Sequence, residues 1–205
     1  MTDRPIVAID CETTGLDPDW HDVFEVAYQR LGIDAEPVTL WLPHDDSTAD
    51  PKAMEINRGY ERWPGAYTRG WEFQLRTALT GAHLLGSNPA FDASFLRRRL
   101  DSGAVWHHRL IDIATYAMPV LGLDTPIGLA NIRQMLIERE CFQVLDAVPD
   151  HTAAGDVRAT VACWDVLRAL ARPLPPLTVL RPLRGEDADD FEVLWAPGEG
   201  PRGDG

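Results

Sequence analysis

The sequence lacks most of what would mark a membrane, secreted or disulfide-stapled protein. No apolar run approaches the roughly 18 residues that cross a bilayer, so no membrane association is expected. The amino terminus, MTDRPIVAID, enters a strand pattern almost at once, and no signal peptide is expected. Cysteine is scarce: Cys11, Cys141 and Cys163 are odd in number, widely spaced and without a Cys-x-x-Cys pair. Free thiols in a reducing, cytoplasmic setting follow. Internal repeats are absent. Positive charge is short too, 19 Lys and Arg against 32 Asp and Glu, for a net charge of −13. That balance argues against a long basic groove for a polyanion. It is compatible with an acidic, metal-dependent site, because bound divalent cations reverse the local sign.

What is present is an ordinary globular composition, 45% hydrophobic and 25% charged over 205 residues, enough for one domain with a sizeable core. Pro5–Asp10 reads as a buried strand and Thr13–Asp19 as a turn. Val23–Leu31 and Val38–Leu42 complete an antiparallel meander. Pro43–Pro64 reads as irregular. Trp71–Thr80 has helical periodicity, and His83–Ser87 is a short apolar strand. Asn88 and Pro89 supply an N-cap and first-turn residue for a helix running to about Leu100. Arg109–Ile113 reads as a fifth strand leading into a helix that ends before Pro119. Ile127–Glu140 and Thr152–Ala171 are the last helices. A meander followed by strand–helix alternation predicts an α/β fold, a mixed five-stranded sheet flanked by helices. The expected division is a domain at 1–171 and a Pro/Gly-rich acidic tail at 172–205, with an extended segment at Phe191–Trp195.

Three separated segments carry residues suited to chemistry. Asp10 and Glu12 in IVAIDCETTGLDP lie two apart at a strand end, which puts both carboxylates on one side. Asp92 in GSNPAFDASFL lies in the first turn of its helix, with Phe91 and Phe95 facing the core. His151 and Asp156 in HTAAGDVRAT are about 140° apart on an ideal helix, so the histidine belongs to a loop ahead of the helix and Thr152 to the N-cap. Each segment alone has a plainer explanation. Asp10 and Glu12 suit a solvated strand edge, Asp92 a favourable place in the helix dipole, and His151 a surface position. Burying Asp10 behind Ile-Val-Ala-Ile, however, is costly unless it is paired or metal-bound.

Taken in order, DCETTGLDP, NPAFD and HTAAGD resemble the three motifs of the DEDDh family of 3′→5′ exonucleases, which includes proofreading ε-subunits, ribonuclease T and oligoribonuclease. The resemblance runs from about Ile6 to Thr160 and implies a ribonuclease-H-like fold. It implies five catalytic residues, Asp10, Glu12, Asp92, His151 and Asp156, of which the four acids hold metal. One departure is Ser87, where many relatives carry a histidine before the asparagine.

The implied chemistry is phosphodiester hydrolysis with two Mg2+ or Mn2+ ions, one activating water and one stabilising the leaving 3′ oxygen. Such all-oxygen ligand sets suit these ions. By resemblance Asp10 bridges the metals, Glu12 and Asp156 hold the water-activating one, and Asp92 acts on the second through waters. His151 takes the proton, a task suited to imidazole. Thr13, Thr14, Leu16, Asn88 and Phe91 are the implied substrate contacts, with Leu16 either a wedge at the terminal nucleotide or a turn residue packed on the core. Tyr60 and Trp63, with Arg58 and Arg62, either stack on bases and meet phosphates or pin their loop. The Arg97–Arg99 run reads as a solvated helix face, and His21, His44, His83, His107 and His108 receive no role.

The expected substrate is the 3′ end of single-stranded nucleic acid, DNA before RNA, with nucleoside 5′-monophosphates as products and a DNA polymerase as a possible partner. An exoribonuclease resembling oligoribonuclease is the nearest rival, because the catalytic set does not read the 2′-hydroxyl. A non-catalytic binding module is the rival of another class, and it would be expected to lack one of the five residues. The tail shows no convincing polymerase-clamp peptide.

Overall fold

The computed structural model describes residues 4–100 and 103–171 in full, and beyond them the backbone of Val179–Pro182 and Phe191–Trp195. The chain divides into two compact units, Met1–Arg168 and Ala169–Gly205.

The first unit is built on β1 (Ile6–Thr13), β2 (Val23–Arg30), β3 (Val38–Trp41), β4 (His83–Gly86) and β5 (Ile111–Asp112), in the order β3-β2-β1-β4-β5. Neighbours joined by short turns pair antiparallel, β1 with β2 and β2 with β3. Those reached through helices pair parallel, β1 with β4 and β4 with β5, as crossover connections require. The helices are α1 (Pro51–Ile56), α2 (Gly59–Arg62), α3 (Trp71–Leu79), α4 (Pro89–Arg99), α5 (Ile113–Leu121), α6 (Leu129–Glu138) and α7 (Ala153–Leu170).

Because β1 is central, its apolar start is buried on both faces, and period-two alternation sends its side chains to two different cores. Val7, Ile9 and Cys11 pack with Leu75 and Leu79 of α3 and Phe95 and Leu96 of α4. Ala8 packs with Ile113, Ile132, Val157 and Trp164 of α5, α6 and α7. Asp10 and Glu12 therefore share the face of Ala8, the one α7 covers, while Cys11 looks toward α4.

Several expectations are corrected. β1 does not stop at Asp10 but runs to Thr13, because β2 stays alongside it as far as Glu12↔Glu25 and, past a bulge, Thr13↔Val23. Its other neighbour, β4, pairs only with Ile6–Ala8. Beyond Ala8 β1 has no partner on that side among the described residues, so the acids are strand residues past the end of the β1–β4 pairing. Segment 43–64 contains α1 and α2, and Asp50 caps α1 by accepting from Lys52 N–H, with Pro51 in the first turn. Pro119 lies inside α5 instead of beyond it. The buried stripe Ile113, Ala117 and Leu121 holds that helix against the sheet through the lost N–H, with only its last turn left to form. In the second unit the extended segment is a strand, β7 (Phe191–Trp195), paired antiparallel with an unexpected β6 (Val179–Pro182). The remainder of the 172–205 expectation lies outside the described residues.

Candidate active site

Asp10, Glu12 and Asp156 offer carboxylate oxygens that all lie within 4.8 Å of one another. The first two come from alternate positions of β1 past the end of its pairing with β4, and the third from the first turn of α7. Thr152 caps α7 as the sequence suggests: its hydroxyl accepts from Gly155 N–H at 2.9 Å. Asp150 accepts both the N–H (3.1 Å) and the hydroxyl (2.7 Å) of Thr152. Asp150 N–H in turn donates to Asp156 Oδ1 at 3.0 Å. A Cβ at Gly155 would sit 2.0 Å from Asp150 Oδ1, so any larger residue there would displace the Asp150 side chain.

His151 lies in this turn with φ 57°, a left-handed conformation that a non-glycine residue adopts only when its surroundings hold it. Its side chain is exposed and is not part of the three-carboxylate group. Asp92 is 3% exposed. It lies on α4, which packs on the face of the sheet toward which Cys11 looks, with Cys11 beside it. Asp92 is therefore set apart from the other three acids, although its charge acts on Asp10 more than any other does.

Burial and mutual repulsion dominate the electrostatics. Burial raises Asp10 well above the ordinary carboxylate range, and Asp92, Glu12 and Asp156 add to it. Burial, then Glu25 and Asp156, push Glu12 up to about 8, with Arg62 opposing. Burial lifts Asp92 to about 7, with its own backbone N–H and Cys11 opposing. Asp156 is raised by burial and held back by the Asp150 and His151 N–H groups. Arg62 is already paired with Glu25 at 2.6 Å. A buried set of oxygen donors with so little positive charge of its own suits hard divalent cations, and the residues present fit such ions.

The implied substrate residues are more scattered. Thr13 and Thr14 are buried. The Thr13 hydroxyl donates to Gly15 O at 2.6 Å, and Thr14 exchanges bonds with Asp22 and accepts from Asp50 N–H. Leu16 is 76% exposed and packs on no core, which excludes its reading as a packed turn residue. Asn88 occupies the position before α4, but at φ 61° and ψ 53° its side chain makes no capping bond; this corrects the expected N-cap. Its N–H instead meets Asp112 Oδ1 at 3.3 Å, so an acid on the neighbouring strand holds this strand end beside Ser87. Phe91 is half-buried against Phe95, with ring centroids 4.9 Å apart.

Trp63 pins its loop, packing edge-on against Trp41 and His44 and lying 4.7 Å from Tyr67, and Arg62 is engaged by Glu25. Tyr60 and Arg58 remain exposed. The Arg97–Arg99 run is not simply solvated. Arg98 holds Pro18 O and Asp19, and Arg99 holds Pro43 O and stacks over Trp71. Residues that sequence reasoning missed include His21, whose ring lies on Gly15 and whose Nδ1 meets the Asp17 backbone, and Asn57, which donates to Thr13 O at 3.0 Å. Glu25 was missed as well. Its signal was available as one acid in the otherwise apolar start of VFEVAYQR.

Among solved structures, three similar chains are exonuclease I proteins. That of Methylocaldum szegediense matches at TM-score 0.57 and 22% identity, covering 82% of this chain and 41% of its own. E. coli exonuclease I in complex with a dT13 oligonucleotide matches at 0.59 and 20%, covering 81% and 41%. The zinc-bound form of its complex with single-stranded DNA matches at 0.58 and 20%, covering 83% and 41%. The chain thus spans about two-fifths of the length of these proteins. Neither the protein-family models nor the curated proteins give a match. What the likeness establishes is the fold, a mixed five-stranded sheet flanked by helices as in the ribonuclease-H-like exonuclease I structures.

Proposed function

We propose that the chain is a metal-dependent 3′→5′ exonuclease that hydrolyses the terminal phosphodiester of single-stranded DNA and releases nucleoside 5′-monophosphates. The observation that carries this reading is the convergence of Asp10, Glu12 and Asp156 within 4.8 Å past the end of the β1–β4 pairing, with buried Asp92 behind them. The likeness to proteins solved with single-stranded oligonucleotides supports the substrate class. In this reading residues 1–171 are the catalytic domain and 172–205 an appendage.

Asp10, Glu12, Asp156 and Asp92 would hold two Mg2+ or Mn2+ ions, which when bound supply the positive charge that an anionic phosphodiester and its alkoxide leaving group require. The chain's own residues do the rest. Asp150 and Asp156 fix the turn that carries His151, whose exposed ring accepts the proton of the attacking water. Cys11 of β1 lies beside the Asp92 carboxylate and favours its charged form. Leu16, exposed on a loop that His21 and Arg98 restrain, meets the terminal base, with Asn88 and Phe91 at the mouth of α4. Tyr60 is free to stack on a base.

Matched DNA and RNA oligomers, each labelled at the 5′ end, test the reaction, its polarity and the sugar preference together. A ladder shortening from the 3′ end, faster on DNA and absent with Asp10→Ala, is expected. A faster RNA ladder would make the enzyme an exoribonuclease. Equal rates for Asp10→Ala and the unaltered protein would remove the assignment.

A further inference from the structure

Glu25 is buried, 2% exposed, in the middle of β2 and directly opposite Glu12 in the antiparallel register. Opposed residues of an antiparallel pair project from the same face, so a second acid stands beside a proposed metal ligand. Its carboxylate is held from two directions. Arg62 Nη1 donates to Oε2 at 2.6 Å, and the backbone N–H of Ala153, the first of α7, also favours its charged form. Arg62 is itself fixed, with Nε donating to Asn57 O at 2.8 Å and its guanidinium over the Trp41 ring. Asn57 binds Thr13 O just past the β-bulge that follows Glu12. Of the charges around Glu12, Glu25 acts on it most strongly and Arg62 opposes it.

Resting on the metal-dependent reading above, we propose that Glu25, clamped between Arg62 and the amino terminus of α7, is a positioning residue that sets the spacing of Glu12 and Asp156 for cation binding. β1 carries Glu12, α7 carries Asp156, and the Glu25 carboxylate is a polar tie between the strand pair and that helix start. A buried acid answered only by a neighbouring strand would be a liability. Placed at an orphan helix N–H and an arginine, it fixes the helix against the sheet. Arg62 offsets part of its charge, although Glu25 still acts on Glu12 more strongly than Arg62 does.

Mn2+ binding to the full chain, read from the electron paramagnetic resonance signal of the free ion, tests this alongside thermal melting. Glu25→Ala is expected to weaken Mn2+ binding by about 10–100-fold, the usual cost of losing support behind a ligand. Glu25→Gln keeps the shape and an acceptor oxygen, and it is expected to recover most of that loss. Arg62→Met separates placement from charge and decides the matter if Glu25→Ala does not fold. Removing a cation should tighten Mn2+ binding by charge alone, whereas loss of the clamp weakens it. A folded Glu25→Ala that binds Mn2+ like the unaltered protein, a Glu25→Gln as weak as Glu25→Ala, or a tighter Arg62→Met would each overturn the inference. Asp10→Ala is the control for the underlying reading. If it and the unaltered protein bind Mn2+ alike, the metal site itself fails; if only the clamp variants are silent, this inference fails alone.

Discussion

At the residue scale, the four motif acids do unequal work. Asp10, Glu12 and Asp156 gather, whereas Asp92 is more deeply buried beside Cys11. Asp92 rises from the ordinary 3.8 to about 7. An acid raised on folding stabilises the protein below its unfolded value, and that contribution is lost as pH rises through the folded one. Asp92→Asn, melted in excess EDTA at pH 8.5, is therefore expected to have a higher Tm than the unaltered protein while its nuclease rate falls. A lower Tm there would mean that the carboxylate is compensated as it stands. His151→Ala is expected to reduce kcat by about 10²–10⁴-fold, the range for a lost general base, with Tm little changed because the ring is exposed. Asp10, Glu12 and Asp156, the three that the fold gathers, were legible from two short segments, since acids at the end of an apolar strand and at a helix start stand out in sequence. Glu25 was not, because its significance depends on a cross-strand partner that local sequence does not name.

At the scale of elements, the site is a meeting of one strand and two helix starts. The α7 entry is the tightest part, where Asp150, Thr152, Gly155 and Asp156 bond around His151. Gly155→Ala gains helix propensity of up to about 1 kcal/mol. It also drives a Cβ into Asp150, and overpacking costs about 1–3 kcal/mol. The clash wins, so the expected result is a modest fall in Tm with a larger fall in kcat as the His151 turn shifts. Unchanged kcat would show that the turn relaxes without moving the histidine. The main strands and longer helices were legible because each carries a clear period of two or 3.6. The short α1 and α2 escaped notice, being one turn or so each, although Asp50-Pro51 was a readable start signal. The true end of β1 was hidden because a one-sided strand beyond Ala8 looks, in sequence, like a turn.

For the whole molecule, the net charge of −13 and the buried acids bear on stability and on substrate binding. Glu12 rises from 4.5 to about 8 and Asp92 from 3.8 to about 7. Both raised values favour the folded state at low pH, so in EDTA the Tm is expected to fall as pH rises from about 4 through 8. Magnesium should reverse that fall at the alkaline end. An ion at 100 times its Kd contributes about 2.7 kcal/mol, and it should contribute less at pH 6, where protons compete for the same carboxylates. A Tm that rises with pH in EDTA would contradict this electrostatic picture. A chain with 19 Lys and Arg against 32 Asp and Glu should also show a shallow dependence of oligonucleotide affinity on monovalent salt, measured by anisotropy with Ca2+ present; a steep slope would reveal many phosphate contacts. The central claim is that Asp10, Glu12 and Asp156 enclose a divalent cation. Anomalous diffraction at the manganese edge, from crystals of the protein grown with Mn2+, tests it most directly. The account predicts a peak bounded by those three carboxylates, and an ordered cluster without one would contradict it.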